Sequence, residues 1–285
     1  MLRSQLCSAE SLRSPELRAW AERLRPMWAA DHDVREVMLH RKMWEWLFIA
    51  EALRERGMLA PGRRGVGFGV GQEPLVALFA DAGAEVVATD QPHESAVASG
   101  WTDSEVEWAG GLESLNDFGL CEGDVFAERV AFRPIDMNAL PADLTGFDFA
   151  WSSCALEHLG TLEAGMDFVV AQMDCLRPGG VAVHTTEYLV SSNDATVEAG
   201  GTVFYRRRDI EALVQRLQKA GHAVAMDYTL GSTPDDEHVD VPPYTDVHLR
   251  TELAGYVTTS LALIVTKGDD AAGGRRGRGL FRRSR

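Results

Sequence analysis

Three of the eight histidines are placed for proton chemistry. His158 follows the apolar run Phe147–Ser152 in Leu156-Glu157-His158-Leu159, His184 ends the run Val181–Thr185, and His238 stands among acids in Asp236-Glu237-His238-Val239-Asp240. Imidazole titrates near neutrality, so it is the side chain best suited to taking a proton from a hydroxyl. His158 is the first candidate base, with His184 and His238 behind it; their plainer alternatives are a helix-start residue, a strand-end residue and a solvated loop residue. A second constellation is Gly67, Gly69 and Gly71 in Val66–Pro74, followed by Asp90 at the end of Glu85–Asp90. Alternate glycines let backbone approach a ligand closely at a helix N-terminus. An acid ending the next strand is where a ribose-binding carboxylate belongs.

These groups need a scaffold that brings them to one edge. Short apolar strands are predicted at Gly65–Gly67, Glu85–Thr89, Val130–Ile135, Phe147–Ser152 and Val181–Thr185, with helices over Glu73–Ala82, Leu162–Leu176 and Asp209–Ala220. Such alternation implies a parallel sheet covered on both faces. Ala223–Tyr228 and Tyr256–Thr266 have no helical pattern between them, which predicts an antiparallel last strand. The fold class is therefore α/β, a seven-stranded, mostly parallel sheet preceded by N-terminal helices. Residues 1–60 read as a helical cover, with Ser14-Pro15-Glu16 as a start signal and Val34, Val37, Met38, Trp44 and Phe48 on one face. Residues 61–267 read as the main domain. Two intervals, Gln91–Glu128 and Leu230–Ala254, are too long to be simple connections and suggest binding segments; they hold Trp101, Trp108, His238, Tyr244 and His248. Asp240-Val241-Pro242-Pro243-Tyr244 reads as a rigid extended loop.

The glycine turn, Asp90, Phe147–Leu159 and Leu176-Arg177-Pro178-Gly179-Gly180 together resemble the class I S-adenosylmethionine-dependent methyltransferases over residues 65–267. The resemblance implies a Rossmann-like fold and S-adenosylmethionine as cofactor. By the same resemblance Gly67, Gly69 and Gly71 meet the methionine part of the cofactor, Asp90 binds the ribose, and Asp136 with Met137 lies near the adenine. One position departs from the pattern: Gly65 stands where the family usually carries an acid two residues before the turn, so Gln72, Glu73 or an N-terminal residue would have to replace it. Some relatives carry ExxEH after the fourth strand and bind a divalent cation; here Cys154 replaces the first carboxylate, and no metal is assigned. A dinucleotide dehydrogenase is disfavoured, because its turn runs GxGxxG.

Composition limits the function classes further. The 285 residues are 45% hydrophobic and 25% charged, enough for a buried core and unlike a disordered chain. The net charge is -15, and because residues 268–285 hold six arginines against two aspartates, the rest is more acidic still. An acidic body disfavours nucleic acid and favours a small polar acceptor. Arg206, Arg207 and Arg208, before a predicted helix, offer either an anion grip or a solvated helix start. The tail from Gly268 to Arg285 reads as a disordered basic appendage. The four cysteines lack zinc or CxxC spacing and no apolar run suits a leader or a membrane span, so a cytoplasmic enzyme with reduced thiols is expected. The expected activity is O-methylation of a small hydroxylated acceptor such as a sugar or secondary metabolite. The alternatives are an RNA or protein methyltransferase, or a noncatalytic cofactor-binding subunit. Oligomeric state is not legible.

Overall fold

Apolar, β-branched and aromatic residues on both faces drive the central strands inward. Phe147–Ser152 is buried at every residue, and the Arg64–Phe68 strand at all but its first. The computed structural model describes residues 1–27, 39–103, 108–245 and 247–269. The strands in chain order are β1 (Gln5–Leu6), β2 (Arg64–Phe68), β3 (Glu85–Asp90), β4 (Val130–Pro134), β5 (Phe147–Ser152), β6 (Leu176–Leu189), β7 (Arg250–Leu253) and β8 (Tyr256–Thr266). They form one sheet in the order β1-β8-β6-β5-β2-β3-β4, with β7 paired to β8. The β2 to β6 ladder is parallel, whereas β8 runs antiparallel to β6, β1 and β7. This is a doubly wound α/β sheet, and its strand order reverses at β2, flanked by β3 on one side and β5 on the other. Ligands of such sheets bind at that reversal, beyond the carboxyl ends of the strands.

The helices are α1 (Ala9–Leu12), α2 (Pro15–Arg23), α3 (Arg41–Arg54), α4 (Leu75–Asp81), α5 (His93–Ala98), α6 (Gly123–Arg129), α7 (Leu162–Ala171), α8 (Arg207–Lys219) and α9 (Pro234–Glu237). Ser14 caps α2 through its side chain with Pro15 in the first turn, as the sequence signal implies. Helix α3 is buried on nearly every side, with Trp44, Leu47, Phe48, Ile49 and Leu53 inaccessible, because it lies between α2 and the β6–β8 half of the sheet. Indole N–H bonds from Trp20 to Glu51 Oε2 (3.0 Å) and from Trp44 to Ser11 Oγ (3.1 Å) tie these N-terminal elements together.

Several expectations need correction. Ala223–Tyr228 is not a strand; single bridges join Ala223 to Thr266 and Met226 to Ser4. The N-terminal β1 takes the place beside β8, pairing Gln5 with Ala262 and burying Leu6, whereas the 223–228 segment keeps alternate residues exposed. The first sixty residues are thus not purely helical. The Leu230–Ala254 interval contains α9 and the hairpin strand β7. The Glu73–Ala82 helix starts only at Leu75 because Pro74 caps it, and Leu162–Leu176 ends in a tight turn over Gln172–Cys175. Val34, Val37 and Met38 fall outside the described residues, as do residues 270–285 of the arginine-rich tail.

Candidate functional site

The glycine turn leaves β2 at the strand-order reversal. Gly69 and Gly71 adopt φ +57° and +50°, the left-handed region that favours glycine. At Gly67 a Cβ would run into Trp151 and Val70, and at Gly65 into the Phe149 ring. That ring explains the departure at Gly65: no side chain, acidic or otherwise, has room there. Across the turn, Asp90 Oδ2 accepts from Gly71 N (2.9 Å) and Ala109 N (3.1 Å), and Oδ1 accepts from Gln91 N (2.8 Å). Burial pushes the Asp90 carboxyl up to about 6, against the pull of those three N–H groups. Trp108 closes the same place from outside, donating Nε1–H to Gln91 O (3.0 Å), while Gln72 Nε2 donates to Trp108 O (3.3 Å). Met137 packs toward Gly69, and Asp136 is exposed, accepting from Asn138 N at 2.8 Å.

Beside the turn, α3 drives charged side chains toward the carboxyl end of β5, the carboxyl half of β6 and the amino half of antiparallel β8. Glu45 is fully buried and accepts from Ser260 Oγ (2.5 Å), Thr185 Oγ1 (2.9 Å), Cys154 Sγ (3.1 Å) and Ser153 Oγ (3.3 Å). Burial acts to raise its pKa, but Lys42 and Arg41 outweigh this and hold it ionised. Arg41 Nη1 pairs with Glu187 Oε2 at 2.7 Å, and Lys42 Nζ pairs with Glu73 Oε1 at 2.5 Å. Lys42 Nζ also reaches Ser153 Oγ (3.2 Å) and Ser153 O (3.4 Å). Burial raises Glu187 to about 7 despite Arg41. Cys154 Sγ, Glu157 and Glu187 converge, with ligand atoms within 4.8 Å of one another, and the Arg41 guanidinium adjoins them. None of Arg41, Lys42 or Glu45 was singled out by sequence, since an (i, i+3) and (i, i+4) set of charges on a helix reads as a solvated face.

The three predicted histidines are not brought together. His158 lies at the rim, its Nδ1 2.8 Å from Gly201 O and its ring edge-on to Trp101 at 4.6 Å between centroids. A carbonyl only accepts, so Nδ1 donates in this contact and Nε2 is the ring nitrogen left free of it. His184 is fully buried, bonded through Nδ1 to Ser152 Oγ (2.8 Å) and packed edge-on against Phe168. Burial lowers its pKa to about 3, and its Nε2 has no partner among the described residues. His184 is a core residue out of an acceptor's reach. His238 ends α9 and is exposed. A fourth imidazole, His248, pairs with Asp240 Oδ2 at 2.6 Å and stacks on His40 at 4.5 Å.

The arginine cluster is committed to its own chain. Arg206 is buried against Asp209 Oδ2 (2.7 Å) and Glu198 Oε1 (2.9 Å), Arg207 pairs with Glu211 (2.8 Å), and Arg208 lies 3.6 Å from Asp194. Among the described residues no helix is long and apolar enough to cross a membrane.

No family model matches the chain, and no curated protein matches it in sequence. Solved structures with a similar course of chain include a magnesium protoporphyrin IX methyltransferase from Synechocystis PCC 6803 with bound SAH, at 13% identity and TM-score 0.48 over 92% of this chain and 100% of that one. The methyltransferase domain of bacterial CtHen1 aligns at 14% identity and TM-score 0.47 over 78% of this chain and 96% of that one. An S-adenosylmethionine-dependent methyltransferase from Clostridium acetobutylicum ATCC 824 aligns at 12% identity and TM-score 0.45 over 88% and 98%.

Proposed function

We propose that the protein is an S-adenosylmethionine-dependent methyltransferase acting on a small polar acceptor through oxygen. The observation that carries this reading is the closure of the glycine turn onto Asp90 at the strand-order reversal, where the Gly71 N–H and the Asp90 carboxylate meet. The fit to the cofactor is good on the turn's own terms. Trp151 and Val70 leave no room for a side chain at Gly67, Gly69 and Gly71 take left-handed backbone, and Asp90 Oδ1, which among the described residues accepts from the Gln91 N–H alone, keeps an acceptor position for a ribose hydroxyl. When bound, the cofactor supplies an activated methyl on a sulfonium. The chain's part is alignment, exclusion of water and removal of the acceptor proton.

Gly67, Gly69 and Gly71 form the floor, Asp90 the ribose contact, and Met137 an apolar wall beside the turn, with Asp136 at the outer rim. Trp108 covers the cleft and keeps water from it. His158 serves as base: the Gly201 carbonyl fixes Nδ1–H, so Nε2 is presented to take a hydroxyl proton at the carboxyl edge of β5. His184, sealed in the core, and His238, solvated on α9, are not assigned that role. A small acceptor rather than RNA or protein is supported by the acidic body and by arginines 206 to 208, each already paired with a carboxylate.

Calorimetry with S-adenosylmethionine, S-adenosylhomocysteine and NAD tests the reading. Binding of both sulfur ligands without NAD is expected, followed by label transfer from methyl-labelled cofactor into a deproteinised small-molecule extract. Binding of NAD alone would refute it.

A further inference from the structure

Within the cleft, Lys42 and Glu73 form an ion pair that joins the two lips of the strand-order reversal. Glu73 follows the glycine turn after β2, and Lys42 Nζ is held at the end of β5 by the Ser153 carbonyl and hydroxyl. The side chains are 30% and 13% exposed, so the pair lies inside a crevice that still opens outward. Close by, the Trp46 indole N–H is buried and without an acceptor among the described residues, although it faces the Glu73 carboxylate. Lys42 and Trp46 are four residues apart and share one face of α3. A buried donor without a partner is costly and wants an acceptor from elsewhere.

We propose that Lys42, Trp46 and Glu73 form a clamp for an α-amino-acid group, Glu73 receiving its ammonium and Lys42 with the Trp46 N–H receiving its carboxylate. Resting on the methyltransferase reading, this assigns the methionine end of the cofactor to residues of the N-terminal helix, in place of the acid that Phe149 excludes from position 65. The exchange is balanced in charge. Without ligand, the lysine and glutamate neutralise each other; with a zwitterion, each trades that partner for one ligand charge, and no charge is left buried alone. Glu45, already saturated by four side-chain donors, stays in place and holds Lys42's end of α3 against β5.

The test compares two ligands by calorimetry on the full chain. S-adenosylhomocysteine carries the amino-acid group, and 5′-methylthioadenosine has the same thioether nucleoside without it. Lys42→Met and Glu73→Gln are each expected to weaken S-adenosylhomocysteine about 10- to 100-fold, the loss of one charge-assisted bond, and to leave 5′-methylthioadenosine within about twofold. Trp46→Phe, which keeps both charges, should weaken only the first ligand, by roughly 5- to 10-fold. Equal weakening of both ligands, or unchanged S-adenosylhomocysteine affinity in Lys42→Met and Glu73→Gln, overturns the clamp. If a charge variant binds neither ligand because the site has collapsed, Trp46→Phe decides by the same comparison. A wild-type chain that binds neither ligand overturns the methyltransferase reading itself.

Discussion

Replacing Glu45 by alanine is expected to destabilise the protein by about 3–5 kcal/mol, the usual cost of removing one partner from a buried charge network. The carboxylate is fully buried, and four side-chain donors and two cations converge on it, with Arg41 at 3.6 Å and Lys42 at 4.0 Å. At an effective dielectric near 20, each cation contributes roughly 4 kcal/mol of attraction, most of it offset by the desolvation of the charges. Alanine leaves those donors facing a void. Glu45→Gln keeps the shape and one acceptor oxygen, while Arg41 and Lys42 keep Glu187 and Glu73, so its expected cost is about 1–3 kcal/mol. Because the folded pKa of Glu45 is depressed, its ionic contribution is present above the usual glutamate range and is lost as pH falls through it. The gap between wild type and Glu45→Gln should accordingly narrow below about pH 4.5. Urea unfolding followed by tryptophan fluorescence measures each cost. An alanine variant within 1 kcal/mol of wild type would show that α3 does not deliver a buried carboxylate to β6, β8 and the turn after β5.

Three further outcomes follow from the same geometry. Asp90→Ala should weaken S-adenosylhomocysteine by about 1.5–3 kcal/mol in calorimetry, since a hydrogen bond to a charged acceptor is lost; undiminished affinity would remove its ribose role. His158→Asn should keep cofactor affinity and lose about 10²-fold or more in label transfer, whereas near-normal transfer would make His158 a wall of the cleft only. For His184, whose folded pKa is depressed, neutral burial favours the fold above about pH 6.5, and that contribution is lost as pH falls toward 3. Between pH 7 and 4.5 wild type should therefore lose about 2.5 kcal/mol more than His184→Gln in urea titrations, and equal losses would contradict the buried assignment.

The glycine turn and Asp90 were legible because their signal is local: a strand, a turn that requires left-handed backbone, and an acid one strand later. His184 shows the limit of that reading. Chain order puts it beside Ser152, the last residue of β5, but β6 runs on to Leu189, and whether a residue at that level faces the cleft or the core depends on the helices laid against the sheet; Phe168 of α7 closes over it. The missed strand pairing has a similar origin. Two residues, Gln5 and Leu6, carry no strand periodicity, and only the free edge of β8 on the far side of the chain makes them a strand.

The N-terminal segment was read as a cover, and its packing gives it a different status. Glu45 bonds to Thr185 and Ser260, 140 and 215 residues away, so no window of sequence contains the network. In an exposed helix Arg41-Lys42 and Glu45 would be worth a few tenths of a kcal/mol; inserted at the strand ends, the same residues set the charge of the crevice next to the glycine turn. A lid that opens must break few interactions, yet this segment contributes β1 to the sheet edge, Trp20 and Trp44 to buried indole bonds, and Glu45 to two strands and the turn after β5. Excising residues 1–30 should therefore lower the unfolding midpoint together with turnover, because it strips β1 from β8 and uncovers α3. Calorimetric melting of the truncated chain discriminates: a cooperative transition at the wild-type temperature would restore the detachable cover, and loss of that transition places the first helices within the folding unit that builds the site.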